Sequence, residues 1–239
     1  MTIKTFSPKQ VVPGDLPGRN PKSKNPAKPR DSASLIVLRK AGQELQVLMG
    51  KRGKKAVFSN VYVFAGGKVE KFDYRPKPAT GLKGDLSHRI SSNPLKSLGF
   101  AMAAIRETYE ETGLLLGTQG DLGETDSNTW NEIRKKNQAP DLGKLEYVGH
   151  AITPASKAVR FNAKFFYAWE HDMTGELAGS GELSDLAFLN LKHALKLPLV
   201  DVTQFMLEEI IRRRDGGFIT PRTYPFFGYR KNHRYQRYR

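Results

Sequence analysis

Three carboxylates fall within five positions of the run Arg106-Glu107-Thr108-Tyr109-Glu110-Glu111-Thr112-Gly113-Leu114. On a helix, acids at i, i+3 and i+4 are surface neighbours, and each like-charged pair costs roughly a few tenths of a kcal/mol. A hard divalent cation between them reverses that penalty, because such ions take oxygen ligands. Glu107, Glu110 and Glu111 therefore form a candidate metal site. The competing reading of the same acids is a solvated face with no ligand.

The elements that must position these acids are legible around them. Leu98, Ala101, Met102, Ile105, Tyr109 and Thr112 recur at three- and four-residue steps, so they share one face of a helix. The three glutamates lie on the opposite face, which predicts one buried and one acidic side. Gly113 then closes the helix as a left-handed C′ residue. Upstream, Val63-Phe64-Ala65-Gly66-Gly67-Lys68-Val69-Glu70 is an apolar strand-like run that breaks into two glycines, where backbone can turn or approach a ligand closely.

Together the two segments resemble the signature of the Nudix hydrolases, G-x5-E-x7-R-E-U-x-E-E-x-G-U, in which U is a bulky apolar residue. The helical half matches at every specified position except one, where Thr108 stands for U. The first half departs further. The position after five spacer residues from Gly67 is Asp73 rather than glutamate, and Arg106 lies 39 residues after Gly67 where the signature places it at 14, an insertion of 25 residues. The insertion, roughly 74–97, carries Pro76, Pro78, Pro94, Gly81 and Gly84 without sustained periodicity and reads as a loop. Its cations Arg75, Lys77, Lys83, Arg89 and Lys96 would suit an anionic ligand; the alternative is a solvated excursion.

An interrupted box is similar to the branch that includes the peroxisomal coenzyme A diphosphatases. Further segments carry the likeness: Phe58 to Gly67, with Ala65 where that branch commonly has proline; Ile152-Thr153-Pro154 followed by Arg160-Phe161-Asn162-Ala163-Lys164-Phe165-Phe166; and Leu197-Pro198-Leu199. The likeness spans about residues 33–214. It implies an α/β/α sandwich with a mixed sheet and a metal-dependent diphosphatase using Mg²⁺ or Mn²⁺ at Glu107, Glu110 and Glu111. By the same resemblance Arg106 braces the box through a salt bridge, Asp73 and Gly113 support it, and Phe64, Gly66, Gly67 and Arg160 meet the substrate.

Glu107 is open to a second role in orienting or deprotonating the nucleophile. The general base can come from a later loop, for which Glu182 is the candidate; His150 has a suitable pKa in principle but is equally a packed strand histidine. The substrate expected is coenzyme A or an acyl-CoA, with ADP-ribose, NADH, dinucleoside polyphosphates and capped RNA sharing the cleavable linkage. A non-catalytic Nudix-fold nucleotide or nucleic-acid binding regulator is the alternative from another class.

Composition sets the frame. The 239 residues suffice for one sizeable core, and no apolar run approaches a membrane span. With no cysteine, thiolate metal sites and cysteine nucleophiles are excluded. That composition, with neither a secretory signal nor a C-terminal Ser-Lys-Leu address, leads to a cytoplasmic expectation. The net charge of +15 resides in the ends: residues 1–30 hold seven Lys/Arg and one Asp, and 212–239 hold nine and one, so the middle is near neutral.

The chain is accordingly divided into a basic, proline-rich disordered tail at 1–30, a Nudix domain at 31–214 and a basic aromatic tail at 215–239. Aromatics among arginines in that last tail can stack on nucleic acid, or lay the tail against the domain or against a second subunit of a homodimer. Strands are expected at 34–39, 45–49, 61–64, 145–152, 164–169 and 185–189, with helices at 126–136 and 202–214 besides the acidic one.

Overall fold

The computed structural model describes residues 25–53, 60–179, 181–230 and 233–238. In chain order its strands and helices are β1 (Arg30–Ala41), β2 (Glu44–Arg52), β3 (Tyr62–Val63), β4 (Ala65–Lys68), α1 (Leu86–Ile90), α2 (Pro94–Thr112), β5 (Gly117–Gln119), α3 (Asn128–Lys135), β6 (Gln138–Pro140), β7 (Glu146–Ile152), β8 (Phe161–Trp169), β9 (Leu183–Asn190), α4 (Leu191–Ala194), α5 (Asp201–Asp215), β10 (Pro225–Arg230) and β11 (His233–Tyr238). Most of the expected tail at 1–30, and Phe58-Ser59 of the segment before the box, lie outside the described residues; Arg30 already belongs to β1.

Strand β1 organises the sheet because both of its faces are apolar. Ala33, Leu35 and Val37 join the core on one side, with Phe100, Ala101, Met102 and Ile105 of α2. Ile36 and Leu38 join the core on the other, with Phe205, Met206 and Ile210 of α5. Successive strand residues point to opposite faces, so the run Leu35-Ile36-Val37-Leu38 can recruit a helix to each side. The result is the layered α/β/α arrangement expected.

The sheet runs β11-β10-β7-β8-β1-β2-β3 with β9 on β2. One edge of β1 is shared: Ser32 to Leu35 pair with β4, and Leu38 to Ala41 pair with β2. Its other edge lies parallel to β8. The sheet therefore divides beside β4, and at this division the two glycines meet the acidic helix.

Two expectations are corrected here. The insertion at 74–97 is folded rather than a loop. It carries α1, whose Leu86 and Ile90 are buried in the α2-side core, and the first turn of α2, capped by Asn93 with Pro94 behind it. Tyr74 packs flat enough on Gly99 that a Cβ there would lie 2.3 Å from its ring. A five-residue helix is too short to display a period, which is why sequence pattern misses it.

The segment 215–239 is likewise more than a tail. Strand β10 lies parallel to β7 with Phe226 opposite His150 and Phe227 opposite Ala151, and β11 returns antiparallel to β10. Aromatic residues supply this hairpin with a buried face, and it covers an edge of β7 that would otherwise present unpaired backbone. Among the described residues, no helix is long and apolar enough to cross a membrane.

Candidate functional site

Helix α2 is held at both ends. The Asn93 side chain accepts from the backbone N–H of Leu95 and Lys96, Pro94 occupies the first turn where its missing donor costs nothing, and Gly113 adopts φ 76° at the C-terminus. Thr108 is fully buried, and its hydroxyl donates 2.8 Å to Ala104 O, so the polar residue at the apolar position leaves no group unsatisfied.

Arg106 is the hub. Its Nε donates to Asp73 Oδ1 (2.7 Å) and Nη2 to Asp73 Oδ2 (3.0 Å) and to Lys68 O (2.9 Å). Nη1 donates to Glu107 Oε1 (2.8 Å) and Glu110 Oε2 (2.9 Å). Asp73 is 0% exposed and also accepts from the Trp130 indole (3.1 Å) and from Glu70 N (2.8 Å). Burial works to lower the guanidinium pKa, but the hydrogen bonds and charge of Asp73, with Glu107 and Glu110, hold it above its usual value. The insertion thus starts after Asp73 and returns to Arg106 without separating the pair.

Glu107 and Glu111 do not form the solvated face of the competing reading. Glu111 is only 6% exposed and accepts 2.9 Å from Gly66 N. Burial pushes its carboxyl up to about 8; the Gly66 hydrogen bond and Arg52 oppose this, while Glu107 and Glu182 add to it. Glu107 is raised as well, by burial first, with Arg106 opposing. Its carboxyl sits against Gly67, where an added Cβ would lie 2.4 Å from Glu107 Cδ. Any side chain there would occupy the space of the carboxylate.

These acids line a cavity of about 820 Å³. Glu107, Glu110, Glu111 and Glu182 contribute to its wall, as do Gly66, Gly67 and Phe64, with the cations Arg52, Lys68 and Lys157 also facing in. Glu182 is exposed, just before β9, where Leu183 pairs with Arg52. Arg160, expected at the substrate, is not among the lining residues: its guanidinium donates to Thr153 O (3.1 Å) and Ala27 O (2.8 Å), tying down the chain before β1. Phe161 beside it does line the cavity. His150 faces Asn162 (2.6 Å) and Phe226 and lies outside the cavity.

The insertion's cations do not reach it either. Arg75 pairs with Asp126, Lys83 with Glu146, Arg89 with Asp85 and Lys96 with Asp31 on the surface. Sequence reasoning missed Trp130, Arg52 and Lys157 altogether. None of them stands in a motif, and only the fold brings them near the box.

No protein-family model matches the chain, and no curated protein does. Among solved structures, a NUDIX hydrolase from Alicyclobacillus acidocaldarius superposes with a TM-score of 0.58 at 23% identity, over 76% of this chain and 90% of that one. The chain has the Nudix fold. A MutT protein from Bacillus halodurans (TM-score 0.48, 16% identity, 88% and 96% covered) and the NUDIX domain of Shewanella oneidensis NrtR complexed with ADP ribose (0.46, 13%, 79% and 90%) also match.

Within the Nudix fold the acids can be weighed as ligands. Among the described residues, no three acidic or histidine side chains already converge on one point, because Glu107 and Glu110 are turned onto Arg106. The donor chemistry nevertheless fits a hard divalent cation: carboxylate oxygens on flexible side chains at one cavity wall, close enough that Glu110 adds to the raised pKa of Glu107 and Glu107 to that of Glu111.

Proposed function

We propose that this chain is a metal-dependent hydrolase of the Nudix family that cleaves a diphosphate linkage in a nucleoside diphosphate derivative. The observation that carries this reading is the Arg106 cluster, which holds Asp73, Glu107 and Glu110 together beside the buried Glu111. A buried carboxylate group that must ionise without a cation is destabilising, so its presence at a cavity wall speaks for a ligand rather than for stability. Mg²⁺ or Mn²⁺ held by Glu107, Glu110 and Glu111 would supply neutralisation of phosphate charge and a more acidic water.

The chain's own groups divide the remaining tasks. Arg52, Lys68 and Lys157 attract the diphosphate electrostatically. Gly66 and Gly67 let β4 come close enough to α2 to receive the carboxyls of Glu111 and Glu107. Glu182, exposed at the cavity, accepts the proton of the attacking water. Arg106 keeps the carboxylates in register and does not touch the reacting atoms.

Coenzyme A or an acyl-CoA is the first substrate to examine, on the strength of the interrupted box alone. The surface pairing of Arg75, Lys83, Arg89 and Lys96 gives these insertion cations no part in meeting an anionic ligand at the cavity. The test is hydrolysis of coenzyme A, ADP-ribose, NADH and a dinucleoside polyphosphate by purified protein with Mg²⁺ and with Mn²⁺. Metal-dependent release of two phosphate-bearing products from at least one of them is expected. No turnover on the whole panel sinks the enzymatic reading in favour of a non-catalytic nucleotide binder.

A further inference from the structure

The carboxylate wall accounts for only one side of the cavity. Its floor is the α5-facing side of the sheet: Ser32 and Ser34 on β1, Phe161 and Phe165 on β8, Ala151 on β7, and Phe227 and Tyr229 on β10, with Gly66 and Gly67 of β4 at the end next to the acids. In the sheet order β4-β1-β8-β7-β10, four strand spacings separate the glycines from β10. At about 4.8 Å each they cover roughly 19 Å, a span that exceeds inorganic diphosphate and leaves room for what the diphosphate carries.

The far side of that floor is built by the C-terminal hairpin. Phe227 and Tyr229, two apart on β10, point to the same face. Their rings meet edge to face at 5.7 Å, and Phe227 also packs on Phe205 of α5 at 5.0 Å. The Tyr229 hydroxyl donates to Asp201 Oδ2 at the start of α5, and Arg234 Nε on β11 faces the same oxygen at 3.2 Å. Asp201 Oδ1 accepts from Val202 N, so the carboxylate is held on three sides. Asp201, Tyr229 and Arg234 thus form a clasp that fixes one aromatic ring and one guanidinium at the cavity. The guanidinium has further N–H donors beyond the one turned to Asp201.

A pinned aromatic ring beside a guanidinium is what stacks on and hydrogen-bonds a planar heterocycle. Surface solubility alone would not call for a half-buried tyrosine bonded to a carboxylate and an intrachain ion pair at a cavity wall.

We propose that the β10–β11 hairpin is a ligand-recognition element, in which the Tyr229 ring stacks on the nucleobase of the substrate, Phe227 braces that ring edge to face, and Arg234 hydrogen-bonds the edge of the base, with Asp201 as the positioning residue. This inference rests on the nucleotide reading above and names the part of the chain that selects the nucleotide. It also gives the basic aromatic C-terminus a role inside the domain instead of as a tail.

The test separates recognition from hydrolysis. Nucleoside 5′-monophosphates (AMP, GMP, CMP and UMP) are titrated into full-length, metal-free protein, and Kd is compared for wild type, Tyr229→Leu and Arg234→Gln. Loss of a stacking ring weakens a bound base about tenfold or more, and in turnover the defect appears as a larger rise in KM than fall in kcat. If Tyr229→Leu fails to fold, Arg234→Gln on the outermost strand and nuclear Overhauser contacts from base protons to the Phe227 and Tyr229 rings in wild type decide the matter. Weakened binding in folded variants, or those contacts, supports the hairpin subsite even if no substrate is cleaved. Failure of wild type to bind any monophosphate, unchanged Kd in folded variants, or base protons contacting other rings overturns it, whatever the hydrolysis panel shows.

Discussion

Replacing Glu111 by glutamine should make the metal-free protein more stable and catalytically dead. Burial holds this carboxyl at about 8, against roughly 4.3 in an unfolded chain. Because the folded value is the higher one, the protonated group's contribution is fully present below the unfolded pKa. It declines as pH rises across the interval from about 4 to 8 and is gone above it. At 1.36 kcal/mol per unit the gap amounts to at most about 5 kcal/mol. Glutamine keeps an oxygen to accept from Gly66 N, which Glu111 receives at 2.9 Å, and never ionises. For a domain of this size, where 1 kcal/mol shifts the midpoint by about 2–4 °C, Glu111→Gln should melt above wild type by up to roughly 10–20 °C at pH 9 in chelator and nearly with it at pH 5. Adding Mg²⁺ should raise wild type toward the variant and leave the variant unmoved. The assay is thermal unfolding by circular dichroism across pH with and without metal, beside turnover. A variant that melts at or below wild type at pH 9, or one that still turns over, refutes the assignment of Glu111 as a buried carboxylate kept for a cation.

The two glycines should separate function from folding. At Gly67 an added Cβ meets only the movable Glu107 carboxyl, so Gly67→Ala should fold but lose about 100-fold in kcat, whereas at Gly66 it meets Ala33 O at 2.5 Å and Gly66→Ala should lose stability; equal melting of both variants would contradict this. Arg106→Ala strands the fully buried Asp73 and should cost about 3–5 kcal/mol in denaturant titration, and a loss below about 1 kcal/mol would show the cluster is not the brace it is taken for. Glu182→Gln should lower kcat by about 10²-fold or more while metal affinity stays near wild type; a kcat within about twofold of wild type moves the base elsewhere.

The helix and the grouping of its acids were legible because both depend on spacing. Residues three and four apart share a helical face wherever the helix lies, so Glu107, Glu110 and Glu111 could be grouped before any fold was known. Gly113 as the helix stop follows from local backbone sterics, and the alternating faces of β1 follow from the strand's period of two. The insertion resisted reading because α1 is a single turn anchored by Leu86 and Ile90, and such a helix is stabilised by what it packs on rather than by its own pattern.

What the sequence by itself determined is which groups lie side by side: three acids, an arginine before them and two glycines upstream. Tertiary structure decided what covers them. The acidic face is closed by β4 and by the chain around Glu182, which makes Glu111 a buried carboxylate at about 8. Asp73 meets Arg106 across 33 positions only because the insertion folds back, and Tyr229 and Arg234 reach the same cavity only because β10 completes the edge of β7. Helical and strand periods are properties of a few neighbouring peptide units; burial, and with it the electrostatics of a site, belongs to whichever distant segments lie on top.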